Sequence, residues 1–376
     1  MIIERTVENL LLQKLQPGKV IVILGPRRVG KTFLINKVVS QTPGKKIFWN
    51  GEDLSVHDLL RRRSVQNYQN IIGDSEIIFI DEAQKVPEIG YILKLIIDSF
   101  PNIKLVVTGS SAFDIKNTFG EPLTGRKRDL FMFSLAEKEL MKYEKIEQRA
   151  DNLKERLIYG SMPEIIYNNN KNEKQEYLKE LMNSYLLKDI LIYENIKNSA
   201  KIFDLLRLIA FQIGNEVSLN ELSRKLSISK NTVERYLDLL EKVFIIYRIR
   251  GFSKNLRKEI VKSSKWYFID NGIRNAVISN FSSLSYRDDV GALWENYMIS
   301  ERIKYQSYNG IFSNNYFWRT YDQQEIDFIE ERGGKLFAYE FKWKQQKVKI
   351  PTAWEKAYPE SQFKIISSEN YFEWLN

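Results

Sequence analysis

Apolar residues follow two rhythms along this chain, and the change between them divides it. In the first third, unbroken apolar runs at 20–24, 77–80 and 105–107 are rich in β-branched residues and too short for helices. They read as strands buried on both faces of a parallel sheet. Between them, 32–39 and 91–100 carry apolar residues at helical spacing. This alternation predicts a doubly wound α/β sheet. Beyond about residue 130 the texture changes to helical stretches at 134–145 and 152–159. A polar break at Asn168-Asn169-Asn170-Lys171-Asn172 precedes a long charged helix over 174–200. A compact helical unit with strand-like pieces is expected from 201 to 280, then a long helix and short aromatic strands from Arg287 onward.

Composition narrows the chemistry. A chain of 376 residues is too long for one ordinary core and suggests two to four domains. No apolar stretch reaches the roughly 18 residues of a membrane helix, so no membrane partner is expected. The opening Met-Ile-Ile-Glu-Arg lacks the apolar core of a signal peptide. Cysteine is absent, which excludes disulfides, thiol nucleophiles and cysteine-ligated zinc and suits a cytoplasmic setting. A single histidine, His57, leaves multi-histidine metal sites and Ser-His-Asp triads little to draw on. It reads as a surface or loop residue without chemistry. The formal charge of +9 is compatible with nucleic acid but is a weak signal by itself.

The sharpest motif follows the first apolar run. Gly25-Pro26-Arg27-Arg28-Val29-Gly30-Lys31-Thr32 fits GxxxxGK[ST] between a strand and a helix, with Phe33 next in line. Glycines let the backbone curl its N–H groups toward phosphates, and the helix N-terminus adds a favourable dipole. Lys31 is expected to reach the β and γ phosphates of ATP, and the Thr32 hydroxyl to ligate Mg²⁺. About 50 residues on, Ile77-Ile78-Phe79-Ile80-Asp81-Glu82 ends a buried strand in two acids. Asp81 can hold Mg²⁺ and Glu82 can orient and deprotonate the attacking water. The third strand ends in Thr108-Gly109-Ser110-Ser111, whose hydroxyls either sense the γ-phosphate or cap a helix.

On these residues the chain resembles the AAA-type ATPases of the AAA_14/DUF4143 family. The match rests on the phosphate loop, Phe79-Ile80-Asp81-Glu82-Ala83-Gln84, Thr108-Gly109-Ser110-Ser111, Glu121-Pro122-Leu123-Thr124-Gly125-Arg126 and Gly160-Ser161-Met162-Pro163-Glu164. The resemblance implies an arginine finger at Arg126, with Arg128 second and a plain basic loop the alternative. It also implies a lid contact to the nucleotide base near Gly160 and Pro163, though Ser161 replaces the family's usual second glycine. Ring-like homo-oligomers are plausible for AAA-type proteins. The expected layout is a P-loop ATPase core over 1–133, a helical lid over 134–200, a winged helix over 201–284 and a small α/β nuclease-like domain over 285–376.

The later domains rest on weaker patterns. Ser218 with Glu221 forms a capping box, and Leu219, Leu222 and Leu226 share a face. Ser227-Ile228-Ser229 turns into a second helix with Val233, Leu237 and Leu240 inward, a helix-turn-helix pattern. Lys230, Asn231, Thr232 and Arg235 point outward, and Lys254, Arg257, Lys258 and Lys262 make the wing basic. DNA contact and a purely architectural role both remain open, because Glu234 and Asp238 would repel phosphate. In the tail, Asp327 on one strand and Glu340 and Lys342 on the next resemble the PD-(D/E)xK nucleases, with Glu295 as their extra helical acid. There the carboxylates would hold Mg²⁺; the alternative for Glu340 and Lys342 is a solvent-facing ion pair. A DNA-acting ATPase, a signalling switch with an inert tail and an ATP-controlled transcription regulator all fit these features.

Overall fold

The computed structural model describes residues 2–109, 122–184, 199–253 and 264–375. The chain divides into two compact units, residues 1–135 with 242–244, and residues 136–241 with 245–376.

The first unit is built on five parallel strands, β1 (Val20–Leu24), β2 (Lys46–Asn50), β3 (Ile77–Asp81), β4 (Lys104–Gly109) and β5 (Lys127–Phe131). Their order across the sheet is β2-β3-β4-β1-β5. Every residue of β1 and β3 is buried, as is all of β4 after Lys104, so their apolar runs announce them. The edge strands β2 and β5 bury only one residue in five each, and Lys127-Arg128-Asp129 therefore carries no strand signal. Helices Lys31–Gln41 and Ile89–Ser99 match the helical expectations to within a few residues.

The second unit holds a seven-stranded sheet. Its strands are β6 (Glu216–Val217), β7 (Ile246–Gly251), β8 (Ser264–Phe268), β9 (Asn314–Arg319), β10 (Glu325–Arg332), β11 (Lys335–Lys342) and β12 (Gln362–Ser367). They lie in the order β12-β11-β10-β9-β7-β8-β6. β9, β10 and β11 run antiparallel in turn, and β12 returns parallel to β11 after the short helix Thr352–Ala357. β7 pairs parallel with β9 at Arg250↔Tyr316 and Gly251↔Phe317. One sheet therefore runs across residue 284, where two separate domains were expected to meet.

One helical expectation differs. The stretch 134–145 holds only the one-turn helix Glu137–Leu140, followed by a 3-10 turn at Ile146–Gln148 and the helix Arg149–Tyr159. Tertiary bonds override helix propensity here. Glu137 is buried and accepts from Arg156 (2.8 Å), from Tyr371 (2.8 Å) and from Tyr297. The long charged stretch gives the helices Lys171–Ser184 and Ser199–Phe211, with 185–198 outside the described residues. Elsewhere the local chemistry holds. Ser218 caps the helix Leu219–Leu226 by accepting from Glu221 N, and Ser227 turns left-handed (φ 53°) before the helix Lys230–Lys242. Among the described residues no helix is long and apolar enough to cross a membrane.

Candidate nucleotide site and a carboxylate cluster

The loop after β1 is shaped by contacts only glycine allows. A Cβ on Gly25 would lie 2.0 Å from the Met132 carbonyl oxygen, which follows β5, and Gly30 adopts φ 97° where the helix Lys31–Gln41 begins. Lys31 is buried, and its ammonium donates to the Gly25 (2.9 Å) and Pro26 (2.8 Å) carbonyls. Thr32 and Phe33 follow on the exposed face of the first helical turn, and Arg28 is also exposed. Arg5, which sequence reasoning missed, is buried and donates to Val29 O (2.8 Å) and Phe133 O (2.6 Å). It ties the loop to the segment after β5. No local motif marks it, because its partners lie 24 and 128 residues away.

β4 lies between β1 and β3, so its C-terminal end separates the phosphate loop from the two acids. The Thr108 hydroxyl donates to Asp81 Oδ1 and accepts from the Glu82 amide (2.8 Å). It thereby fixes the buried Asp81 carboxylate. Glu82 sits in the left-handed region (φ 48°), and its carboxylate accepts from Gln84 Nε2 (2.6 Å). Gly51 packs so tightly on this turn that a Cβ would stand 2.4 Å from Glu82 O, and its amide donates to Asp81 O (2.7 Å). His57 is half-buried on the helix Leu54–Arg61, rather than in a loop, and its Nε2–H donates to Gly51 O (2.6 Å).

A phosphate-bearing ligand with Mg²⁺ fits this donor set. The loop supplies amides and one ammonium, and Thr32 and Asp81 supply oxygen ligands of the type Mg²⁺ prefers. The two expected arginines are not gathered there. Arg126 donates to Asp98 (2.8 Å), and its carbonyl accepts from Val20 N, at the end of β1 opposite the phosphate loop. Arg128 lies on β5 and pairs in register with Ile21, again at the start of β1. Ser110 and Ser111 fall outside the described residues. Pro163 belongs to the second unit, where it opens the helix Pro163–Tyr167. Beside it, Gly160 (φ 77°) and Ser161 dock on Asp270, which accepts from Ser161 N (2.8 Å). That docking explains the glycine locally.

In the second unit, Glu295, Asp327, Phe341 and Lys342 line one cleft of about 400 Å³ together with Trp343 and Lys344. Burial raises the Glu295 carboxyl to about 7, against the attraction of Lys265. Burial also raises Asp327, and raises Glu340 with help from the neighbouring Asp327 charge. Lys342 is raised despite burial, because it donates to Glu340 and faces Asp327. The two sit 2.7 Å apart, and Asp327 Oδ2 accepts from Phe341 N (2.8 Å). The sequence did not foresee Lys265 of β8. It is only 1% exposed, bonds Glu325 and lies 3.5 Å from Glu295. Tyr267 donates to the same Glu295 oxygen. Among the described residues no three Asp, Glu or His side chains are grouped to hold a metal. The expected Mg²⁺ set of Glu295, Asp327 and Glu340 does not fit these residues: Glu295 accepts from Tyr267 beside Lys265, Asp327 accepts from Phe341 N, and Glu340 pairs with Lys342.

On the helix Lys230–Lys242, Lys230, Asn231 and Arg235 are exposed and Thr232 is half-buried against Ser229. Glu234 and Asp238 are exposed as well. The wing residues Lys254, Arg257, Lys258 and Lys262 lie outside the described residues.

Comparison with known proteins accounts for most of the chain. The AAA domain family AAA_14 matches residues 17–141, a domain of unknown function (DUF8612) matches 150–284, and another (DUF4143) matches 290–371. The uncharacterized protein MJ1544 of Methanocaldococcus jannaschii is 27% identical over 84% of this chain and 73% of its own length. The uncharacterized protein Rv2008c of Mycobacterium tuberculosis is 24% identical, covering 91% of this chain and 74% of itself. An uncharacterized protein of Haemophilus influenzae is also 24% identical, over 88% and 84%. The chain thus carries an AAA_14 domain at its front and a DUF4143 domain at its end, the pairing of the AAA_14/DUF4143 proteins.

Proposed function

We propose that this protein is a Mg²⁺-dependent ATPase that couples its nucleotide state to DNA binding through the second unit. The observation that carries the ATPase reading is the position of β4. It brings Lys31, Asp81 and Thr108 to one edge of one sheet, where open α/β sheets receive ligands. In this reading the amides of the 25–32 loop and the Lys31 ammonium bind the triphosphate. The Gly25 and Pro26 carbonyls that accept from Lys31 are neutral, and an anionic phosphate oxygen is a stronger acceptor for an ammonium. Thr32 and Asp81 would hold Mg²⁺, which when bound neutralises charge developing on the phosphates. Thr108 keeps Asp81 oriented. Glu82, its backbone held by Thr108 and Gly51, takes the proton of the attacking water.

Arg126 lies at the far end of β1 from its own chain's loop, so any contact it makes with a phosphate is to a second copy's nucleotide. Arg126→Ala mixed with Glu82→Gln then regains partial turnover; absence of rescue removes that role. The DNA reading draws support from the element order helix Ser199–Phe211, β6, two helices, β7 and β8, which suits a winged helix, and from exposed Lys230 and Arg235. The order helix–β9–β10–β11–helix–β12 likewise suits a nuclease-like fold for the tail. Calorimetry with ATP and Mg²⁺ tests the first part: the wild type binds and Lys31→Ala does not. Gel shifts with duplex and single-stranded DNA, with and without ATP, test the second. Binding that weakens steeply with salt supports it, and no binding returns the protein to a switch with an inert tail.

A further inference from the structure

The cluster around Glu295 contains a cation of its own. Lys265 points from β8 to the helix Val290–Tyr308 and to β10, where Glu295 and Glu325 receive its ammonium, and the ring of Phe317 lies 5.3 Å from it. Burying an ammonium this fully is costly, and carboxylates that answer its charge offset that cost. The neighbouring acids already have donors. Tyr267 donates to the same Glu295 oxygen, Phe341 N holds Asp327, and Lys342 holds Glu340. A divalent ion entering here would meet two ammonium groups and would compete with the donors that hold Glu295 and Glu340.

We propose that Lys265 is the resident cation of this cluster, standing in for the divalent metal that the Asp327/Glu340/Lys342 pattern leads one to expect. The cluster is thus a metal-free scaffold in which a fixed ammonium joins β8 to the helix and to β10. The inference is independent of the nucleotide site.

Electron paramagnetic resonance of Mn²⁺ with the full-length, nucleotide-free protein tests it. Wild type and Asp327→Asn are expected to bind the same number of Mn²⁺ ions, since the cluster takes none. Lys265→Met, shown folded by circular dichroism, is expected to gain one Mn²⁺ site, which Asp327→Asn in the same chain removes again. A wild type that loses a Mn²⁺ ion on Asp327→Asn or Glu340→Gln overturns the proposal. So does a folded Lys265→Met with no gain. If Lys265→Met does not fold, wild type against Asp327→Asn and Glu340→Gln decides: equal binding supports the proposal and unequal binding refutes it.

Discussion

The nucleotide site and the carboxylate cluster use the same vocabulary, a buried lysine near paired acids, and put it to opposite ends. Lys31 donates to two carbonyls five and six residues behind it. These two partners are neutral and local. Lys265 pairs with carboxylates on a helix and a strand brought in from elsewhere in the chain, Glu295 being 30 residues away. Its charge is already spent. What separates the two lysines is the kind of partner seen at each, neutral carbonyls at Lys31 and carboxylates at Lys265, not burial itself.

Four experiments press on that contrast. The largest effect is expected at Glu82, where Glu82→Gln should lower steady-state phosphate release by about 10²–10⁴-fold while calorimetric ATP affinity is retained. Undiminished release would strip Glu82 of its role. In the cluster the loss should fall on folding instead. Lys265→Met leaves buried acids unanswered and should cost about 3–5 kcal/mol in urea unfolding, with part of it restored by Mn²⁺. A variant as stable as wild type would mean that the ion pairs contribute nothing.

Arg5 sharpens the view of the nucleotide loop. Arg5→Met removes both donors to Val29 and Phe133 and should weaken ATP binding about tenfold, the equivalent of roughly 1.5 kcal/mol for a charged hydrogen bond. Arg5→Lys should recover only part, because an ammonium cannot span both carbonyls as a guanidinium does. Unchanged affinity in both variants would make the clamp incidental.

The gentlest test is pH. Burial raises Glu295 from an ordinary 4.5 to about 7, so the folded chain holds that proton more tightly than the unfolded chain does. The resulting stability is full below about pH 4.5 and is lost as pH rises through 7. Unfolding curves of the wild type should decline across that window relative to Glu295→Gln, whose curve lacks this component. Parallel curves would mean that Glu295 titrates as an ordinary acid.

The central strands of the first unit and the phosphate loop were legible because each is a contiguous segment with its own pattern. β1, β3 and β4 are buried on both faces and must be apolar throughout, and Gly25 and Gly30 answer local backbone needs. β5 was not legible, since an edge strand with one buried residue in five can be written Lys-Arg-Asp-Leu-Phe. The 134–145 helix was misread because Glu137 spends its carboxylate on Arg156, Tyr297 and Tyr371, partners that no local window contains.

By itself, then, the sequence determined the parallel sheet, the curled phosphate loop and the acids at the end of β3, because hydrophobic period and glycine spacing act within a few residues. Only the tertiary structure decided that Arg5 clamps the loop, that Thr108 fixes Asp81, and that Lys265 lies between Glu295 and Glu325. A charge finds its partner through space, and that distance is set by how strands and helices pack rather than by their spacing along the chain.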